Sequence, residues 1–341
     1  LPPFSLPALH AALARLPGFA ALPMDALEPL PLKGVAHDHV RLRGHGLVAR
    51  IPRWSQMGLD PLTALDHQAA AFRRAEPSGH TPRLAAVLPP ALAPALAPEN
   101  GLPLGALLVG EIAGRTPRLP DDMPAIARAL AALHRLPLPP PEERPPLPAP
   151  ADPVAALLAQ VERQADWFAD AGLAAEARAL IEAELDAARA ARLDGPAPVV
   201  LVGVDVHPGN FLIDAAGKAW FTDLEKLQYG HPAMDLAHAS LYSSTKWDPA
   251  VDAALTAAEV AAFHESWAAA VPVELAGMVR PGIKPLRRLT WLRTLSWMAR
   301  WSVKGATLSP GMPESLRIHM DGHAADILRA ARIEQVRRDW S

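Results

Sequence analysis

Residues 199–225 constrain the fold more than any other stretch, because three apolar runs alternate there with turns too tight to be anything but loops. VVLVGV at 199–204 has the unbroken, β-branched character of a buried strand. DVHPGN at 205–210 cannot continue it, since Pro208 and Gly209 favour a turn. FLID at 211–214 and AWFTDLE at 219–225 read as two more strands, joined by a tight Ala216-Gly217-Lys218 turn. The backbone must reverse twice within this segment. Asp205, Asn210 and Asp223 then fall on neighbouring loops at one edge of a small sheet.

The rest of the chain divides around this block. Leu6–Leu16 reads as a short amphipathic helix, residues 30–51 as two or three short strands with LVARI at 47–51 the clearest, and Leu62–Ala75 as a helix closed by Pro77 and Gly79. Leu107–Ile112 is an apolar strand. From Asp121 the character changes: Asp121 or Asp122 is placed to cap a helix running to about Leu136, with Ile126, Leu130 and Leu133 on one face. The proline-rich stretch 137–152 is stiff and suits an extended surface connection. Helices are expected at about 153–170, 173–192, 233–243, 250–269, 284–304 and 314–338. The layout is α+β: a small sheet-containing lobe, 1–109, followed by a larger, mostly helical lobe, 110–341.

Composition excludes several classes. With 341 residues the chain exceeds what one core usually holds, so two lobes are expected. A formal charge of −3 with no long run of one sign gives no footprint of a nucleic-acid binder. Cysteine is absent, which rules out disulfides and thiolate metal sites and fits a reducing compartment. The apolar stretch Leu84–Leu108 is cut by Pro89, Pro90, Pro94, Pro98 and Pro103, so it is not read as a membrane helix. A soluble, cytoplasmic protein is expected, monomeric or homodimeric. The start at Leu1 leads us to expect that the native chain begins slightly earlier.

Two carboxylates and an amide oxygen on adjoining loops are hard oxygen ligands that suit Mg2+, a cation that commonly also takes phosphate oxygens. The spacing D-x-x-x-x-N, followed by an Asp at the end of the next hairpin, is that of phosphoryl-transfer sites. VDVHPGNFLID and FTDLEKLQYGHPAMDLAH together resemble the catalytic loop H-G-D-x-H-x-x-N and the metal-binding segment of the aminoglycoside phosphotransferase/choline kinase-like family. That resemblance implies a bilobal protein-kinase-like fold, ATP and Mg2+ as cofactors, and transfer to a hydroxyl group of a small molecule. It makes Asp205 the catalytic base, Asn210 and Asp223 the metal ligands, and Asp235 a brace for the catalytic loop. His207 is read as serving structure, and Glu225 as lying either behind the metal or on the hairpin surface.

The resemblance is weaker in the first lobe. It would place a phosphate-covering turn at 33–40, with Gly34 its single glycine, and a phosphate-gripping cation at Arg50, where the family often has Lys. The helix residue in register with that cation is Gln68, which is neutral. LLVGEIAGR at 107–115 resembles the family's hinge, whose backbone around Gly110, Glu111 and Ile112 would meet the adenine edge. Gly203 stands where the family usually has His, and Val204 where it usually has Gly. These departures keep a second reading open, a nucleotide-binding pseudokinase or regulator. A third is a metal-dependent hydrolase using Asp205, His207 and Asp223, with His207, His37, His39 and His231 suggesting a transition metal, but none of these histidines falls in an H-x-x-x-H or H-E-x-x-H helix.

By the same resemblance the acceptor lies against the C-terminal helices, lined by 242–248. On the helix 284–304, Leu289, Leu292, Leu295 and Met298 are expected to pack, with Trp291, Trp297 and Trp301 beside them and the arginines in solvent. Aromatic faces hold cations and arginines hold anions, so the sign of the acceptor stays open.

Overall fold

Two glycines in the left-handed backbone region, Gly44 at φ 80° and Gly46 at φ 61°, turn the chain between two six-residue strands and so set the first sheet. The computed structural model describes residues 4–32, 34, 36–55, 57–90, 101–191, 197–308 and 312–340. They form two compact units: the chain up to Pro77 with Thr81–Ala113, and Ser78–His80 with the chain from Gly114 onward. Lys33 and Val35 of the expected phosphate turn, Pro94, Pro98, and Arg192 at the end of an expected helix lie outside the described residues.

The first unit holds strands β1 (Leu27–Pro29), β2 (His37–Leu42), β3 (Leu47–Pro52), β4 (Leu84–Leu88) and β5 (Ala106–Gly110) in the order β1-β2-β3-β5-β4, every neighbouring pair antiparallel. Helix α1 (Leu6–Leu13) places Leu9 and Leu13 in the core with Val40, Leu42, Ala49, Ile51, Leu88 and Leu108. Helix α2 (Pro61–Ala75) starts where Asp60 accepts the Leu62 and Thr63 amides. The edge strand β4 went unread in the sequence. It stops before Pro89, which cannot donate to a ladder.

In the second unit, β6 (Val200–Val202) pairs with β9 (Gln228–Gly230), and β7 (Phe211–Ile213) pairs with β8 (Ala219–Phe221). The expected single small sheet is therefore two separate ladders. Strand β8 ends at Phe221 rather than reaching Glu225: Thr222 still gives its amide and hydroxyl to the Asn210 carbonyl, at 3.0 and 3.1 Å, but the Asn210 amide turns away to the His207 carbonyl at 2.9 Å, so the ladder stops. The helices are α3 (Met123–His134), α4 (Pro153–Gln164), α5 (Asp166–Asp170), α6 (Ala175–Ala190), α7 (Ala233–Ser240), α8 (Tyr242–Thr245), α9 (Ala257–Ala268), α10 (Val273–Val279), α11 (Ile283–Leu308), α12 (Glu314–Ile327) and α13 (Ala330–Arg337). Asp122 precedes α3 as expected, but its carboxylate accepts from Arg115 and from the Arg118 amide instead of capping the helix.

Helix α11 packs on α4, α5, α7 and α12 and is the spine of this unit. Leu289, Leu292, Leu295 and Met298 are buried on it, as their spacing implies. Arg287 and Arg293 are buried too, against the expectation that they lie in solvent. Each is bonded: Arg287 to Asp339 at 2.6 Å and to Ser240, Arg293 to the carbonyl of Val204. The Arg287 guanidinium is tolerated because all three of its nitrogens find acceptors, whereas Arg293 is held through Nη2 and leaves its buried Nη1 without a hydrogen bond. Among the described residues, no helix is long and apolar enough to cross a membrane.

Candidate active site

The end of β6 is bent rather than extended. Val204 has φ 65°, and the Asp205 amide donates to the Gly203 carbonyl at 2.7 Å, so Val204 is the centre of a γ-turn of the rare, strained hand. A β-branched residue rarely holds this conformation unless its surroundings impose it. Gly203 cannot be larger: a Cβ there would lie 2.4 Å from Val206 Cγ1 and 2.8 Å from Phe221 Cε1. The His that the family motif carries at this position has no room in this chain.

What imposes the turn is a chain of buried hydrogen bonds. Asp235, fully buried on α7, accepts the Gly203 amide on Oδ2 at 2.7 Å and the Val204 amide on Oδ1 at 2.8 Å. His134 Nε2, at the end of α3, lies 3.1 Å from the same Oδ2. Indole nitrogen only donates, so the bond from Trp267 Nε1 to His134 Nδ1 at 3.0 Å fixes the tautomer with its proton on Nε2, pointing at Asp235. Arg293 holds the Val204 carbonyl at 2.8 Å from the other side. The brace that the resemblance assigns to Asp235 thus has a physical form. His134, Trp267 and Arg293 belong to it and were missed in the sequence.

Beyond this turn, the Asp205 carboxylate meets Lys226, whose Nζ is 2.5 Å from Oδ2. His238 Nδ1 lies 3.9 Å from Oδ1. Burial alone would raise the Asp205 carboxyl, but the Lys226 ammonium beside it overcomes this and holds it well below the usual carboxylate range. Burial also opposes a charge on Lys226, and Asp205 and Glu225 together push it above its ordinary value. Burial lowers His207 and His238, and Arg293 lowers His238 further. The result is an ionised carboxylate with one ammonium and two uncharged imidazoles around it at neutral pH.

Asn210 closes the loop. Its Nδ2 donates to the Asp205 carbonyl at 2.8 Å, which directs Oδ1 away as an acceptor. Thr222 ties the Asn210 backbone to the residue just before Asp223. Asn210 just before β7 is thus opposite Thr222 just after β8, and Asp223 is the next residue along. An amide oxygen and a carboxylate fit a hard divalent cation such as Mg2+. Glu225 is buried, so it is not a surface residue of the hairpin.

The 242–248 segment packs on the same loop. The Trp247 ring is 5.9 Å from that of His207 and 4.9 Å from that of Trp297 on α11. Asp248 sits so close to Gly209 that a Cβ on the glycine would be 2.5 Å from its own Cβ.

The residues expected to hold nucleotide lie in the first unit. Gly34 is exposed, with nothing within 4 Å of an added Cβ. Arg50 is buried on β3, opposite His39 of β2, and its guanidinium lies over the Phe72 ring at 5.6 Å. Gln68 Oε1 accepts from His37 Nε2 at 3.2 Å. The Glu111 carboxylate accepts from Arg41 at 2.7 Å, while its amide donates to the Gly46 carbonyl at 2.8 Å. Ile112 follows directly, in the segment after β5.

Comparison with known proteins identifies the family and the fold. The family model described as the phosphotransferase enzyme family, APH, matches residues 62–271, well over half of the chain. No curated protein matches in a direct comparison of sequences. Among solved structures, the chain is similar to a choline/ethanolamine kinase family protein from Mesorhizobium loti, at 19% identity and TM-score 0.61, covering 96% of this chain and 93% of that one. It is similar to the choline kinase of Cryptosporidium parvum at 11% identity and TM-score 0.57, covering 96% and 95%. A third similar structure is the GDP complex of aminoglycoside 2'-phosphotransferase-IIIa, at 14% identity and TM-score 0.57, covering 94% and 99%. At these identities the likeness establishes a kinase-like fold, as the α+β reading of the sequence anticipated.

Proposed function

Because this chain belongs to the phosphotransferase enzyme family, we propose that it moves the terminal phosphoryl group of ATP onto a hydroxyl group of a small molecule, with Mg2+ on the phosphates. The observation that supports this reading is the loop geometry: Asp205 is presented from a braced, strained turn, its carbonyl accepts from Asn210, and Thr222, the residue before Asp223, donates to the Asn210 carbonyl.

Asp205 orients the acceptor hydroxyl and takes its proton as the new oxygen–phosphorus bond forms and the bond to the nucleoside diphosphate breaks. Its ionised state supports this, since only the carboxylate can accept. Asn210 Oδ1 and Asp223 would hold the metal, which supplies positive charge to the phosphate oxygens. The rigid turn supplies orientation, which matters because most of the catalysis of phosphoryl transfer is positioning and electrostatics. In the first unit, Arg50 would serve the phosphates, the Gly34 turn would cover them, and the backbone at Glu111 and Ile112 would meet the nucleobase. A structurally similar protein binds GDP, so ATP and GTP are both to be offered as donors.

A coupled assay of nucleoside-diphosphate release over a panel of hydroxyl-bearing metabolites and antibiotics tests the reading. Wild type should turn over at least one of them. D205N should cut turnover to a small residual rate while the chain still melts cooperatively. A nucleotide-dependent rise in melting temperature without transfer to any acceptor would replace the kinase reading by a nucleotide-binding regulator.

A further inference from the structure

Lys226 is absent from the loop-and-hairpin pattern that singles out Asp205, yet it makes the shortest contact there. It follows Asp223-Leu224-Glu225 directly, in the turn between β8 and β9, and its ammonium lies 2.5 Å from Asp205 Oδ2. Among the described residues this is the only hydrogen bond to that carboxylate. Asn210 holds the backbone carbonyl of Asp205 instead, and His238 stays 3.9 Å from Oδ1. Both partners are partly shielded, with side chains 27% and 21% exposed, so the pair is set into the site and is not a solvated surface contact.

A carboxylate has two oxygens, and rotation about the side chain exchanges them. With Oδ2 tied to an ammonium, the exchange stops and Oδ1 is the oxygen left to meet a hydroxyl. We propose that Lys226 is a positioning residue for phosphoryl transfer, fixing Asp205 through Oδ2 so that Oδ1 is the oxygen offered to the acceptor. The inference rests on the phosphotransferase reading of Asp205. It adds a residue whose effect passes through that aspartate alone. Lys226 sits at the start of the segment leading into β9, which pairs with β6, so it links the two ladders on which Asp205 and Asp223 are carried.

The test uses the whole chain and the hydroxyl compound that wild type phosphorylates fastest, with Mg·ATP hydrolysis by water as a second acceptor. K226M should lower kcat about 100-fold, the scale of a small misplacement of a reacting group. Its KM for Mg·ATP should stay within about threefold, since kcat alone falls when an interaction specific to the transition state is lost. K226R keeps the charge but not the point geometry and should recover about tenfold of the loss. In a D205N background, adding K226M should change the residual rate less than about twofold, because residues acting through one another are non-additive. Melting temperatures of all variants separate loss of rate from loss of fold. Equal kcat in wild type and K226M, or a full additive loss on top of D205N, would overturn the proposal while leaving the phosphotransferase reading standing. A wild type inactive with every acceptor, water included, would overturn both.

Discussion

Arg293 donates to the carbonyl of Val204 at 2.8 Å, and so a buried arginine of α11 holds open the strained turn that presents Asp205. The usual family pattern places a glycine at 204, which would take this backbone without strain. Here the conformation is enforced from outside, by Asp235 on the amide and Arg293 on the carbonyl. R293M removes one of these clamps and leaves a buried carbonyl unpaired, at a cost of about 1–3 kcal/mol. Urea denaturation should show that loss, and the transfer rate should fall with it because the turn relaxes.

Gly203 gives the opposite kind of prediction, since restoring the family's usual residue should harm this chain. The space above its Cα is filled by Val206 and Phe221, both buried. Overpacking of this sort costs about 1–3 kcal/mol for a single added carbon. G203A should lower stability on that scale, and G203H more. A G203H variant as stable and active as wild type would show that the loop can move aside.

Asp235 is the node of the brace, with three donors converging on one buried carboxylate. D235N keeps the shape but turns an NH2 group toward one of those donors. Breaking a buried charged network by removing one member costs about 3–5 kcal/mol. Chemical denaturation should register this, and the surviving folded protein should transfer slowly because Gly203 and Val204 have lost their acceptor. W267F removes the donor that fixes the His134 tautomer, leaves the buried Nδ1 unpaired and opens a void beside it, so it should cost at least about 1–3 kcal/mol.

The candidate trio Asp205, Asn210 and Asp223 could be singled out in the sequence because each member borders an apolar run beside turn residues, and such local punctuation is one-dimensional. The brace could not. His134 meets Asp235, Trp267 meets His134, and Arg293 meets Val204, all from helices distant in the chain. Helical periodicity marks those positions as core-facing but does not say which buried polar group faces which. On that ground Arg293 was expected in solvent, although the apolar face of α11 was read correctly. β9 escaped notice for another reason: three residues are too few for an alternation to declare itself. Lys226 stood in plain view next to Glu225, but nothing local points a turn lysine back at a loop twenty-one residues earlier.

Acid should weaken the same brace from its far end. His231 is buried just before α7, and its Nδ1 accepts the Ala233 amide at 3.1 Å, so that nitrogen cannot carry a proton while the contact lasts. Burial, with a smaller contribution from His134, lowers it to about 4. Burial and the nearby Arg287 likewise lower His264 to about 4. Both are histidines whose folded value lies below the unfolded one, near 6.5, so the unfolded chain binds more protons between those limits. Stability is then full above about pH 6.5 and falls as pH drops toward 4, by up to about 3 kcal/mol for each histidine. Protonated His231 would also face the positive end of α7, which adds to the penalty. H231N keeps an acceptor for Ala233 and removes the titration. Its melting temperature should therefore fall less between pH 6.5 and 4 than that of wild type, and parallel curves for the two proteins would show that His231 is not a source of the acid sensitivity.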